Sequence, residues 1–210
     1  MTEHSTVSGC AESEFEIKKS RFLSAIWHVG SIEDANAMIE KRRREHWDAR
    51  HNCFAMILGE KREFMKMSDD GEPQGTAGVP MLEVLKQSGL TDVLVIVTRY
   101  FGGILLGAGG LARAYTKGAA DAVAAADKIS LIPAGIYKVT VPYTLWGRTE
   151  AAIKADGHEI ADVSYTDEID ASVVIRAGAE GAFSKRLAEI SAGGAAPVKT
   201  GETYIVKKII

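Results

Sequence analysis

VLVIVTRYFGGILLGAGGLARAYTKGAADAVAAAD, residues 93–127, is the stretch from which the fold can be worked out. Its first residues, Val93 to Thr98, are mostly β-branched and apolar, which predicts a buried strand. Its last part, Leu111 to Asp127, repeats apolar residues at helical spacing, which predicts a helix. The turn between them is rich in glycine, at Gly102, Gly103, Gly107, Gly109 and Gly110. Such a cluster indicates positive φ angles or the close approach of another group to the backbone.

The glycine turn predicts an anion-binding site at the start of the helix. The first N–H groups of a helix have no intrahelical acceptor, and the helix dipole is positive at that end. Arg99 precedes the turn, Arg113 falls in or near the first helical turn, and Lys117 shares its face. The dipole disfavours cations there by roughly 0.3–1 kcal/mol, so a bound phosphate or carboxylate would account for them. Alternatively, the glycines only permit tight packing and the basic side chains are solvated.

Composition limits the classes of protein to which the chain can belong. Its 210 residues suffice for one large or two small domains. The formal net charge is -3, so any surface that binds nucleic acid must be local. The sequence shows no charged start followed by an apolar h-region and no apolar run of membrane-spanning length, and we expect no membrane association. Cys10 and Cys53 do not have the spacing of a metal site or a redox pair, which favours a reducing, cytoplasmic location. We expect no metal and no cofactor.

The sequence before residue 93 predicts four strands or hairpin arms and two helices. Residues 1–13 are polar and mixed, and we expect a loose tail. Ser31 is the expected N-cap of a helix, with Asp34 three residues later. The remaining predicted elements are strands at 15–18, 21–28, 49–58 and 61–67, and a short helix opened by Pro80 that runs to Leu85.

A loop with three carboxylates, SDDGEPQGTAG, is the second informative stretch; we call residues 68–78 the acidic loop. Asp69, Asp70 and Glu72 could hold a hard cation such as Mg²⁺, although the spacing of a calcium loop is absent and turns explain the composition better. His51, at the polar end of its strand, is a further candidate for the site. Cys53 shares the face of His51, but no third group orients the pair, so we expect Cys53 to be a core residue.

The pattern restarts near Pro133 and Gly135, and we place a domain boundary there, between domains of residues 1–132 and 133–210. The second half predicts strands and helices in the order β-α-β-β-α-β, with Thr144 capping the first helix. That order is the ferredoxin-like unit. We find no motif in this half that indicates chemistry.

Five motifs in the first half together resemble the IMPACT/YigZ family. Three are long, SDDGEPQGTAGVP at 68–80, TRYFGG at 98–103 and LGAGGLARAY at 106–115, and KSRF at 19–22 and ARHNCFA at 49–55 fit as well. They occur in the family's order across about half of the chain. The two-domain layout, without the partner-binding module of eukaryotic members, resembles the bacterial type.

The resemblance implies an α+β fold with two domains. The first would be an α/β sandwich like the second domain of a small-subunit ribosomal protein, and the second a ferredoxin-like domain. The pair resembles adjacent domains near the end of elongation factor G. Eukaryotic relatives regulate translation by competing for an activator of an initiation-factor kinase. The resemblance implies no particular reaction for bacterial members.

Three functions fit these observations. The first is a non-enzymatic regulator of translation that binds RNA or the ribosome through the glycine turn, with Tyr100 and Phe101 available for stacking on bases. The second is an enzyme acting on a phosphorylated small molecule or nucleotide, with the acidic loop supplying acid/base or metal-binding groups. The third is a module that binds a regulatory protein partner through the same loops. We favour the first, and so expect a binding protein and not an enzyme.

Overall fold

A computed structural model describes residues 1–209 and confirms the two-domain α+β fold. The first half contains six strands and three helices: β1 (His4–Val7), β2 (Cys10–Ile17), β3 (Ser20–His28), α1 (Ile32–Glu45), β4 (His51–Leu58), β5 (Phe64–Ser68), α2 (Gly78–Ser88), β6 (Val93–Tyr100) and α3 (Ala108–Ala125). The second half contains four strands and two helices: β7 (Lys128–Val141), α4 (Tyr143–Ala155), β8 (Glu159–Tyr165), β9 (Ile169–Arg176), α5 (Glu180–Ser191) and β10 (Val198–Lys208).

The first sheet has the strand order β2-β3-β6-β4-β5, with antiparallel pairing between neighbours. Side chains alternate between its two faces. Val93, Val95 and Val97 of β6 pack into the apolar cluster that contains α2 and α3. Leu94 and Ile96 pack into the cluster on the opposite face, which contains α1. The central strand is therefore buried on both faces, as its unbroken apolar run predicts.

The prediction of a loose tail over residues 1–13 is wrong, because β1 and the first half of β2 lie there. Thr6 and Val7 of β1 are buried. In β2 only alternate residues are apolar, and the charged residues between them face outward. Strand β2 pairs with β3 along its whole length, from Cys10 opposite Trp27 to Ile17 opposite Ser20. This pairing orders a segment whose polar composition gives no local signal for a strand.

Helix starts follow local capping only in part. The Ser31 hydroxyl accepts the N–H of Asp34 at 3.0 Å, which confirms the predicted N-cap of α1. Thr144 does not cap α4, because that helix begins at Tyr143 after Pro142. Similarly, α3 begins at Ala108 and not at Leu111, so Gly109 and Gly110 lie in its first turn.

The turn that remains is the glycine loop, residues 101–107. Two of its glycines have left-handed backbones, Gly103 with φ 84° and Gly107 with φ 72°. Gly102 is required for a different reason, since a Cβ there would lie 2.0 Å from the carbonyl carbon and oxygen of Lys19. The loop therefore crosses the β2–β3 turn at backbone contact. Close approach and positive φ were the two reasons for expecting glycine here.

The second sheet has the predicted ferredoxin-like arrangement. Strand β9 lies between β7 and β8, and β10 pairs with β7 on its other side. Helices α4 and α5 contribute Ile153, Phe183 and Leu187 to a core with Val139 and Val173 of the sheet. Among the described residues, no helix has the length and apolar character needed to span a membrane.

By its internal contacts the chain divides into two compact units, one made mainly of residues 2–130 and the other of residues 131–207. The expected break near Pro133 and Gly135 is not a loop, because both residues lie within β7. The carbonyl of Pro133 accepts the N–H of Ala177 at 2.9 Å, which ties it to the end of β9. The domain boundary between residues 132 and 133 stays a prediction, and limited proteolysis that yields two stable fragments would check it.

Candidate functional site

A cleft of about 350 Å³ lies where the glycine loop meets the start of α3. Its polar lining comes from Arg50, His51, Glu72 and Arg99. Its apolar lining comes from Pro73, Phe101, Leu105, Leu106 and Leu111. The start of β4, the acidic loop, the end of β6 and the glycine loop thus converge on one concave surface, as is usual for ligand sites.

A buried ion pair forms the floor of the cleft. Arg99 Nη1 donates to Glu72 Oε1 at 2.7 Å, and the two side chains are 6% and 3% exposed. Tyr115 of α3 donates its hydroxyl to the same carboxylate oxygen at 2.8 Å. Burial raises the pKa of Tyr115, so its hydroxyl stays protonated and remains a donor. The charge of Arg99 is therefore compensated inside the protein.

Ser20 joins this floor to the glycine loop. Its hydroxyl accepts from Arg99 Nη2 at 3.3 Å and from the N–H of Gly102 at 3.2 Å. The guanidinium of Arg99 also lies 5.6 Å from the ring centroid of Phe22 and 5.5 Å from that of Phe101. One donor is left over, since Arg99 Nε is buried and has no acceptor within residues 1–209.

Asp69 stabilises the acidic loop and the start of α2 through hydrogen bonds to the backbone. Its carboxylate accepts the N–H groups of Gly75, Ala77 and Gly78 at 2.8–2.9 Å, and so caps the start of α2. Burial opposes ionisation of Asp69, but the three backbone donors outweigh it and lower the pKa of the carboxyl. The N-terminal turn of α2 depends on this residue, because its own N-cap, Ala77, has no capping side chain.

Asp70 is also engaged. Its two oxygens accept from Arg43 Nη2 and from the N–H of Asn52, each at 2.7 Å. Asp69 accepts from the start of α2 and Glu72 accepts from Arg99, so all three carboxylates of the loop have donors within the protein. In the described part of the chain, His, Cys, Asp and Glu side chains form no group of three or more suited to a metal ion.

His51 lines the cleft, whereas Cys53 lies beneath it. His51 Nδ1 is 3.0 Å from the carbonyl oxygen of Asp70. Cys53 is fully buried, and its thiol donates to the carbonyl oxygen of Asp69 at 2.9 Å. Burial raises the pKa of the Cys53 thiol well above its ordinary range, and with no exposed surface Cys53 fits the expected core residue.

The three predicted basic residues have different surroundings. Arg113 is exposed and belongs to the second turn of α3, not the first. Its guanidinium nevertheless reaches back to the first turn, where Nη1 lies 3.7 Å from the position of a Cβ on Gly109. Lys117 is used elsewhere, because its ammonium pairs with Asp121 at 2.6 Å and lies over the ring of Phe15.

Tyr100 and Phe101 do not act together. Tyr100 follows Arg99 on β6 and so belongs to the opposite face of the sheet. Its hydroxyl donates to Asp48 at 3.1 Å and lies 2.9 Å from Nδ1 of His46, near the end of α1. Phe101, in contrast, is 50% exposed at the cleft. The structure therefore separates the two aromatic residues that the sequence placed in one site.

The first backbone N–H groups of α3 have no side-chain cap within the described residues. The N-cap of the helix is Gly107. Gly107 and Ala108 line the cleft, so the first backbone N–H groups of the helix, which no side chain of residues 1–209 caps, lie at its edge. Two exposed arginines flank this end, Arg50 at the cleft and Arg113 on the helix, and neither has a hydrogen-bond or ion-pair partner within the described residues.

Arg50, Pro73 and Leu105 line the cleft but were missed from the sequence. Arg50 could have been found from strand pairing, because its neighbour His51 lies directly opposite Arg99 on β6. Pro73 and Leu105 lie in loops without regular secondary structure, so hydrophobic periodicity gives no signal for them.

Two known domain families match the chain. Residues 18–123 match the Impact N-terminal domain, and residues 139–193 match a domain of unknown function, DUF1949. The cleft lies wholly within the first match. A solved structure described as a crystal structure of a hypothetical protein is similar, with a TM-score of 0.64 and 35% identity over 95% of this chain and 98% of the other.

Individual relatives cover most of the chain. The IMPACT family member YvyE of Bacillus subtilis is 38% identical over 97% of this chain and 94% of its own length. The IMPACT family member YigZ of Escherichia coli is 38% identical over 85% of this chain and 88% of its own. Similarity to the Protein IMPACT homolog of Dictyostelium discoideum is narrower, at 33% identity over 43% of this chain and 27% of that protein.

Proposed function

Because the chain belongs to the IMPACT family, we propose that it is a non-enzymatic regulator of translation that binds RNA, including the RNA of the ribosome, through the cleft at the start of α3. The observation that carries this proposal is the set of donors without acceptors at one place. The uncapped helix start, Arg50 and Arg113 together offer backbone N–H groups and two guanidinium groups to a phosphate. We also propose a cytoplasmic location, where ribosomes and reduced thiols are found.

Charge supports a local site for RNA. The chain as a whole carries a formal net charge of -3 and would not attract RNA at long range. Binding must then depend on the few cations at the cleft. Arg99 is not one of them, since Glu72 compensates its charge. Arg50 and Arg113 are therefore the residues whose charge we expect to matter.

Salt dependence of RNA binding tests the proposal. We would measure the affinity of the protein for single-stranded RNA between about 50 and 200 mM salt, where each phosphate contact adds about −0.7 to the slope of log K against log salt. Arg50→Glu with Arg113→Glu should weaken binding by about tenfold or more and flatten that slope. Lys61→Glu is the matched control, because Lys61 is exposed in the turn at the far end of β4. Unchanged affinity in a folded double variant would refute the site.

A second candidate function is the binding of a protein partner. The exposed apolar side chains of the glycine loop favour it, with Phe101 50%, Ile104 44% and Leu105 81% exposed. Apolar side chains without cover are enriched at protein interfaces. A pull-down before and after nuclease treatment separates the two functions, because a direct protein partner survives the nuclease and an RNA-bridged one does not.

A further inference from the structure

We infer that the cleft is a slot for one unpaired base, so that the protein binds single-stranded RNA and not duplex. This inference rests on the proposed function and names the form of RNA that the site accepts. It depends on three features of the cleft: its apolar walls, its charge-compensated floor and the uncompensated cations that adjoin both.

The walls suit a flat apolar ligand. Phe101 and Leu105 project from the glycine loop with 50% and 81% of their surface exposed, and Pro73 and Leu106 also line the cleft. Stacking of a base on an aromatic ring is worth roughly 1–3 kcal/mol and tolerates any sequence. A volume of about 350 Å³ is at the small end of ligand sites and fits one nucleotide unit.

The floor suits a neutral ligand. Glu72 already compensates the guanidinium charge of Arg99, and both side chains are buried. The floor therefore offers a phosphate no uncompensated positive charge, whereas an uncharged base can lie on it without leaving a charge unpaired.

The phosphate site adjoins the base site. Arg50 and the uncapped start of α3 line the same cleft, Arg113 follows in the second turn of α3, and these groups are not compensated by acidic side chains of residues 1–209. A nucleotide with its base in the slot would present its phosphate to these groups. A base within a duplex is stacked on both sides and cannot enter such a slot, whereas an unpaired base can.

Fluorescence anisotropy with a labelled 12-nucleotide RNA of non-pairing sequence, and with the same RNA as a blunt duplex, tests the inference at one salt concentration. We expect the single strand to bind at least about tenfold more tightly than the duplex. Phe101→Ala should weaken binding of the single strand by roughly 5- to 150-fold, while Phe101→Trp should retain it. The control is Tyr165→Ala, which removes another aromatic residue, 62% exposed, from the second domain and should change nothing.

Three results would overturn the inference, and they differ in what they leave standing. Equal affinity for single strand and duplex, or full affinity in Phe101→Ala, would refute the base slot but leave RNA binding by Arg50 and Arg113 intact. No binding of either RNA at low salt would refute the proposed function together with the slot. Leu105→Ala serves as a second variant if Phe101→Ala fails to fold, because Leu105 is 81% exposed.

Discussion

The acidic loop and the glycine loop both resemble binding loops in the sequence, yet the structure uses their polar groups in opposite ways. Every carboxylate of the acidic loop has donors within the protein: Asp69 caps α2, Asp70 holds Arg43, and Glu72 pairs with Arg99. The glycine loop instead leaves the start of α3 uncapped and Phe101 and Leu105 exposed. Loops rich in charge or glycine therefore differ in function according to which of their groups remain without a partner.

Glu72→Gln, in the acidic loop, should cause the largest loss of stability. It leaves Arg99 buried without a counter-charge, which costs about 3–5 kcal/mol of unfolding free energy. Urea denaturation measures that loss, and Glu83→Gln, in an exposed pair with Lys86, should cost less than about 1 kcal/mol. If Glu72→Gln is no worse than Glu83→Gln, the ion pair does not hold the loop.

Gly102→Ala should have the next largest effect, because it tests whether the glycine loop is held by backbone contact. A Cβ at 2.0 Å from the backbone of Lys19 forces the loop away, and we expect a loss of about 3 kcal/mol. Gly109→Ala is the matched control, since its Cβ meets nothing nearer than Arg113 Nη1 at 3.7 Å. Its stability in thermal denaturation should equal or slightly exceed that of the parent. Equal losses in the two variants would contradict this assignment.

Asp69→Ala removes the acceptor of three N–H groups at the start of α2, and we expect a loss of about 2 kcal/mol at pH 7. Because the folded state lowers the pKa of Asp69, its contribution is fully present above the unfolded pKa of about 3.9 and is lost as pH falls through the folded pKa. The difference between parent and variant should therefore shrink below about pH 4. Asp167→Ala, in an exposed turn, is the control. A difference that is independent of pH would argue against the cap.

Added Mg²⁺ should have the smallest effect. Because the carboxylates of the acidic loop are already engaged by protein donors, we expect no rise in melting temperature with millimolar Mg²⁺. A clear rise that is absent from an Asp69, Asp70 and Glu72 triple Asn/Gln variant would show that the loop binds a cation. It would also favour the enzyme hypothesis over the binding protein.

Local patterns were enough to predict β6, α1 with its Ser31 cap, and the order of elements in the second domain. The sequence could also have predicted that Arg99 and Tyr100 lie on opposite faces of the sheet, since neighbouring side chains of a strand alternate between the faces. The start of α3 was missed because glycine disfavours helix in isolation, while packing decides where this helix begins. The cap on α2 comes from Asp69, eight or nine residues before the N–H groups of Ala77 and Gly78, and no local rule reaches that far.

The pairing of Glu72 with Arg99 could not be deduced, because it joins residues 27 positions apart through a loop without regular structure. Arg50 differs from Glu72, because the pairing of β4 with β6, which places the neighbouring His51 opposite Arg99, would have indicated its place at the cleft. The sequence indicates the glycine loop and the acidic loop as candidate regions, but it does not indicate which of their charges are compensated.

Ultraviolet crosslinking of the protein to total cellular RNA, followed by mass spectrometry of the crosslinked peptides, tests the central claim most directly. We expect crosslinks concentrated in the glycine loop, with Phe101 as the main site, and their loss in Arg50→Glu with Arg113→Glu. Aromatic side chains stacked on bases are the expected points of attachment. Crosslinks confined to residues 131–207, or equally abundant in the double variant, would contradict the account.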